Sequence, residues 1–291
     1  MLVLGAGGQV AQELRLTQPS HRVASYLTRA ELDITDAASV AAALEARDVS
    51  WVINSAAYTA VDRAEEQPEL AEQVNGLGPG VLADCCRRLG IRLLHLSTDF
   101  VFDGAQGSPY RPGDATNPQG AYGRSKLAGE QAVLESDPSA VVLRTSWVYS
   151  RYGSNFVKTM LRLLAERDHL GVVDDQVGSP TWARCLAATC WEFLDQPDAQ
   201  GLYHWSDAGV CSWYDFALAV RELGLAAGLL QKAAEVAPIA SEAYPTPAVR
   251  PPFSVLDKAS TWQLLGRPGC HWRAQLRAML NDLASQEVST R

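Results

Sequence analysis

The chain has 291 residues, 47% apolar and 20% charged, an ordinary globular composition with enough length for a sizeable core. A net charge of −8 and a pI near 5.2 argue against nucleic acid as a partner, and no apolar run reaches the roughly 18–20 residues that cross a bilayer. No secretory signal pattern is visible. The six cysteines show neither a C-x-x-C pair nor zinc spacing with histidine, so reduced core thiols in a cytoplasmic protein are expected, with no metal site.

Residues 1–4 form a short apolar run, followed by Gly5-Ala6-Gly7-Gly8 and a helical pattern through Leu16. Strand, glycine turn and helix read as G-x-x-G-x-x-A over Gly5, Gly8 and Ala11. The glycines allow a tight turn and let backbone N–H groups approach a pyrophosphate at the helix N-terminus, and Ala11 lets helix and strand pack closely. Residues 21–27 read as a second strand. An acidic residue at its end would hold the ribose hydroxyls of NAD; here Thr28-Arg29 follow and the nearest acid is Glu31. Arg29 suits a 2′-phosphate, so NADPH is expected ahead of NADH. The stretch 32–36 (LDITD) reads as a strand edge, with Asp33 placed towards adenine and Asp36 capping a helix over 37–46.

Residues 51–57 (WVINSAA) predict a buried strand ending in small residues, against which a cofactor can lie. A helix over about 68–89 contains Asn75 and the breakers Gly76, Gly78, Pro79 and Gly80, which predict irregularity there. The strand at 91–99 ends in Ser97-Thr98-Asp99. Strand carboxyl ends line the crevice of an open parallel sheet, so Thr98 is placed to hydrogen-bond a substrate carbonyl. A Gly/Pro-rich loop leads to Ala121-Tyr122-Gly123-Arg124-Ser125-Lys126. The four-residue spacing puts Tyr122 and Lys126 on one helix face. A cation beside a phenol lowers its pKa and makes a proton donor. Residues 141–149 read as one further strand.

After residue 150 the character changes. Helices are expected over about 156–167, 183–194, 212–223 and 272–284, with a late strand at 201–205 and a Pro-rich loop at 244–252 carrying Arg250. The pattern predicts an α/β fold. A Rossmann-type doubly wound parallel sheet over 1–150 is followed by a smaller α/β substrate lobe over 151–291, some of whose segments return to the sheet.

In order, Gly5-x-x-Gly8-x-x-Ala11, Asn54-Ser55-Ala56-Ala57, Ser97-Thr98-Asp99 and Tyr122-x-x-x-Lys126 resemble the extended short-chain dehydrogenase/reductases. The strings NSAAYTAVDRAE, STDFVFDG, YGRSKLAGE, RTSWVY, NFVKTML, DDQVGSPT and YPTPAVRP narrow this resemblance to the dTDP-4-dehydrorhamnose reductase family, over residues 1 to about 280. The resemblance implies reduction of a dTDP-4-ketosugar by a nicotinamide cofactor. Gly5, Gly8, Gln9, Val10, Arg29, Asp33, Ile34, Ala56, Ala57, Tyr58 and Thr59 would then hold the cofactor, together with Tyr122 and Lys126. Tyr122 would donate the proton, Lys126 would bind the nicotinamide ribose, and Thr98 would take the place of the superfamily's serine. Thr98, Asp99, Trp147, Asn155 and Arg250 would contact the sugar nucleotide. Some members are described as homodimers bridged by Mg2+ through glutamates. Glu13 matches one bridging position, but Arg184 stands at the other and cannot ligate a cation. Two other readings stay open: another nucleotide-sugar reductase or epimerase, and a non-catalytic NADP-binding regulatory subunit.

Overall fold

The computed structural model describes residues 1–289. In chain order the elements are β1 (Leu2–Leu4), α1 (Gln9–Thr17), β2 (Ser25–Leu27), α2 (Ala37–Glu45), β3 (Trp51–Asn54), α3 (Val61–Glu66) and α4 (Pro68–Ala71). Then come α5 (Gly78–Arg88), β4 (Arg92–Thr98), α6 (Ala121–Ser136), β5 (Val141–Thr145), β6 (Val148–Tyr149), α7 (Phe156–Glu166) and β7 (His169–Val173). The remainder is β8 (Val177–Gly178), β9 (Thr181–Trp182), α8 (Ala183–Phe193), β10 (Gly201–His204), β11 (Cys211–Ser212), α9 (Trp213–Ala226), β12 (Glu235–Ile239), α10 (Ala259–Leu265) and α11 (Trp272–Ser289).

Six strands make one parallel sheet in the order β10-β5-β4-β3-β1-β2. Its central strands are apolar on both faces: every residue of β1, β3 and β5 is buried. That is the signature of a sheet covered by helices on both sides. On one face α1 and α8 pack together around Leu14, Leu186 and Trp191; on the other, Val40, Leu82, Cys86 and Val133 pack from α2, α5 and α6. The sixth strand, β10, comes from the C-terminal half and pairs with β5. A further core gathers α7, α9, α11, β7 and β12 around Phe216, Val220, Trp272 and Leu276. The chain runs outward from β1 to β2 and returns to β3 on the other side. The strand order therefore reverses beside β1, and this switch point is where an open α/β sheet leaves a crevice.

Three expectations are corrected and a fourth is met. The strand expected over 21–27 is only Ser25–Leu27, because Val23 is 83% exposed and offers no face to bury. Residues 32–36 make no strand: Leu32 and Ile34 are buried, but Asp33 Oδ1 accepts from the Thr35 amide and hydroxyl and folds the segment into a turn. The strand over 141–149 breaks at Ser146-Trp147, where Trp147 takes φ 47°, and resumes as β6. The helix over 68–89 is irregular where its breakers predict. It widens into a π-helical stretch, Glu72–Leu77, between α4 and α5. Against that stretch lies Gly129 of α6, where a Cβ would stand 2.0 Å from the Asn75 carbonyl oxygen. Only glycine lets the two helices approach so closely.

Candidate active site

A crevice of about 680 Å³ opens at the carboxyl ends of the sheet strands. Its first wall is mostly backbone. Gly5 sits at φ 83°, and a Cβ there would stand 2.8 Å from the Ala56 nitrogen. The turn after β1 therefore presses against the end of β3 with no side chain between them. Helix α1 starts just beyond, at Gln9, and no side chain caps it at Gly8. Its first amides are thus left to serve an anion. Beside it stand Arg29, Asp33 and Ile34 on one flank and Ala56, Ala57, Tyr58 and Thr59 on the other. Arg29 is exposed and touches Asp33 only at 3.4 Å, so its guanidinium is loosely held.

Buried Asn75 in the π-helical stretch braces this wall. Its amide accepts from the Tyr58 N–H (2.8 Å), donates to the Tyr58 carbonyl (2.9 Å) and donates to the Ser125 hydroxyl (3.1 Å). It thereby ties the loop after β3 to the helix that carries Tyr122 and Lys126. That helix, α6, is capped in trans: the Glu65 carboxylate accepts from the Ala121 N–H at 2.6 Å.

The floor carries the ionisable groups. Tyr122 stands edge-on to Phe100, with centroids 5.5 Å apart. Burial pushes its phenol up to about 12; a hydrogen bond with Thr98 opposes this and the Asp99 charge adds to it. The Thr98 hydroxyl donates to Asp99 Oδ1 at 3.0 Å. Burial lifts Asp99 to about 6, held back by hydrogen bonds from Ser254 and Thr98. Lys126 is only 2% exposed. Its ammonium donates to the Leu96 carbonyl at 2.7 Å and lies 3.4 Å from His95 Nε2. Desolvation brings it down to about 8, against the pull of Glu130. Its ammonium is thus engaged by β4, and burial leaves the phenol above its ordinary value. The physical reason is that a buried ammonium must find an acceptor, and β4 supplies one.

The second wall is indole. Trp147 lies on Trp213 with centroids 3.5 Å apart and planes 5° from parallel. Behind it is Gly178, where a Cβ would meet the Trp147 ring at 2.5–2.7 Å. A tryptophan at positive φ is strained, and this stack together with the glycine holds it there.

Of the residues expected to act in catalysis or to contact cofactor or substrate, the crevice lining takes in all but Asn155 and Arg250. Asn155 caps α7 through Lys158 N and donates to Gln9 Oε1 at 2.9 Å, one layer behind the lining. Arg250 is paired with Asp62 at 2.8 and 3.0 Å, at the flank of α3. Glu13 is fully buried; Arg184 bonds it at 2.9 Å and Asp282 at 2.7 Å, so a guanidinium bridges these two carboxylates. Among the described residues there is no cluster of three or more His, Cys, Asp or Glu able to hold a metal ion. No helix there is long and apolar enough to cross a membrane. Sequence reasoning quoted Asn54 in a motif without giving it a role, and missed His95, Trp213 and Ser254. His95 left one trace, a histidine inside an otherwise apolar strand.

The family model for the RmlD substrate binding domain matches residues 1–285. The chain belongs to this family. A dTDP-4-dehydrorhamnose reductase of Streptomyces griseus is 45% identical, over 94% of this chain and 91% of the relative. Among solved structures, a dTDP-4-dehydrorhamnose reductase of Clostridium acetobutylicum superposes with a TM-score of 0.91 at 37% identity, covering 97% of this chain and 98% of the other. The Bacillus anthracis enzyme of the same name, in complex with NADP, also gives 0.91, at 32% identity with 97% and 98% covered.

Proposed function

We propose that the chain reduces the C4 ketone of dTDP-4-dehydro-6-deoxy-L-mannose to dTDP-L-rhamnose with a reduced nicotinamide cofactor. The observation that carries this reading is the meeting of Thr98, Tyr122 and Lys126 at the floor of the crevice whose one wall is the uncapped start of α1. Full-length similarity to reductases of that name supports the substrate. The cofactor would lie on Gly5, Gly8 and Gln9, with its nicotinamide towards Tyr122, and supply the hydride. The loosely held Arg29 favours a 2′-phosphate, hence NADPH, as does the NADP complex of the Bacillus anthracis relative.

The chain's own residues then do the following. Tyr122 releases its proton to the substrate oxygen, and Thr98, whose hydroxyl reaches both Asp99 and the phenol, steadies that oxygen. Trp147 offers a flat face to the sugar or its base. Arg250 would reach a diphosphate only by exchanging its Asp62 partner. The regulatory-subunit reading is disfavoured because every proton-handling group lines the crevice. Oxidation of NADPH by the purified chain, with the dTDP-ketosugar as acceptor, tests the reading. Tyr122→Phe is expected to lower turnover by roughly 10²–10⁴-fold, the usual span of general acid catalysis. No turnover of any dTDP-4-ketosugar by the wild type sinks the assignment. Full rate in the Phe variant sinks the role of Tyr122.

A further inference from the structure

Behind the floor of the crevice, two side chains that never reach its surface form a chain of contacts ending on Lys126. Asn54 closes β3, His95 sits in β4, and both are fully buried. The Asn54 carbonyl oxygen accepts from the Ala56 N–H at 3.1 Å. That contact fixes the amide's orientation, because turning it over would set an N–H against an N–H. The Asn54 NH2 therefore faces His95 Nδ1, 3.0 Å away, and Nδ1 must accept. A neutral imidazole has one proton, so it lies on the other nitrogen, Nε2. The ring is held neutral, since burial and the Lys126 charge both push its pKa well below the ordinary value. Nε2–H then points at the Lys126 nitrogen, 3.4 Å off.

An ammonium cannot accept from that N–H; a neutral amine can. We infer that Asn54 and His95 are a positioning pair that locks one imidazole tautomer and so lowers the pH at which Lys126 takes up its charge. The other groups facing Lys126 do not reproduce this. The Leu96 carbonyl accepts from the amine in either state. Glu130 favours the ammonium, but Arg144 closes that carboxylate with bonds of 2.6 and 2.9 Å. Tyr122, on the same helix, keeps its own proton in this state. The consequence is a lysine poised close to its titration point rather than permanently charged. This bears on catalysis only if the Tyr122–Lys126 reading above holds.

The test separates the two ideas. In the wild type, nitrogen NMR of the imidazoles is expected to show His95 protonated at Nε2; a proton on Nδ1 overturns the inference with no variant needed. The chain has four lysines, so carbon-13 labelling at Cε follows Lys126 directly. Asn54→Asp would accept a proton from Nδ1, reverse the tautomer and give Lys126 an acceptor. His95→Leu removes the opposing N–H. Both are expected to move the Lys126 titration upward by about one pH unit, while His95→Gln, which keeps an N–H donor, is expected to stay near the wild type. An unmoved Lys126 titration in a folded His95→Leu protein overturns the inference. If Lys126 moves and the pH profile of turnover does not follow it, the positioning pair stands and the catalytic reading of Lys126 fails.

Discussion

The two walls of the crevice are built differently. The wall over β1 and β3 is main chain: a glycine at φ 83° lets one turn lie on the next, and the amides at the start of α1 face the opening. The wall over β6, β8 and α9 is side chain: one strained indole, held flat by a second and backed by a glycine. A main-chain surface suits what every cofactor of the class shares, its pyrophosphate and ribose. A side-chain surface suits what distinguishes one substrate from another. The difference predicts that damage to one wall should show in cofactor affinity and damage to the other in substrate KM.

The largest effect on that comparison is expected from Gly5→Ala. Its Cβ would stand 2.8–2.9 Å from backbone atoms of Ser55 and Ala56, which cannot swing aside, and a non-glycine residue at this φ adds strain of about 1–3 kcal/mol. Cofactor binding, read by fluorescence titration, should weaken by about 10–100-fold, with a lowered Tm. Wild-type affinity for NADPH in this variant would show that the turn does not form the cofactor wall.

Gly178→Ala is the matching test on the other side, with a smaller expected effect. Here the obstructing atoms belong to the Trp147 ring, at 2.5–2.7 Å, and a side chain can yield where backbone cannot. Pushed off Trp213, the indole loses its fixed pose. The ketosugar KM should rise about 10-fold, or roughly 1.4 kcal/mol, with cofactor affinity unchanged. A change in cofactor affinity of the same size would mean that the walls are not separable.

The same contrast explains what the sequence disclosed. The main-chain wall was legible because its requirements are local: a short apolar strand, glycines at fixed spacing, a helix behind them. Tyr122 and Lys126 were legible as a pair because helical spacing fixes their face. What Lys126 bonds was not, because Leu96 and His95 lie some thirty residues away and only the β3–β4–β5 pairing brings them under α6. The indole stack was hidden for the same reason. Trp147 and Trp213 are separated by β6, α7, β7, β8, β9, α8, β10 and β11, and no period in the sequence links them. Arg250 and Asn155 are expected as ligands from the family resemblance. The structure gives each a protein partner, Gln9 for Asn155 and Asp62 for Arg250, which a motif match cannot reveal.

The smallest expected effect concerns the footing of the indole wall. Asp207 is fully buried; its Oδ2 accepts from the Trp182 N–H at 2.9 Å, and its Oδ1 has no hydrogen-bond partner. Burial lifts its pKa to about 7 from an ordinary 3.8, with the Trp182 amide and Cys185 opposing the rise. A carboxyl raised on folding binds its proton more tightly in the native state than in the unfolded chain. Native stability from this group is therefore complete below pH 4 and is lost as pH rises towards 7. Asp207→Asn keeps an oxygen for the Trp182 amide and replaces the unpartnered oxygen with a neutral group. It should stabilise the protein by about 1–2 kcal/mol at pH 8 and by nothing at pH 4, read by urea unfolding at the two values. Because the change lies behind the wall rather than in it, the ketosugar KM should hold. A stability change equal at both pH values would mean that the Asp207 pKa is not raised on folding.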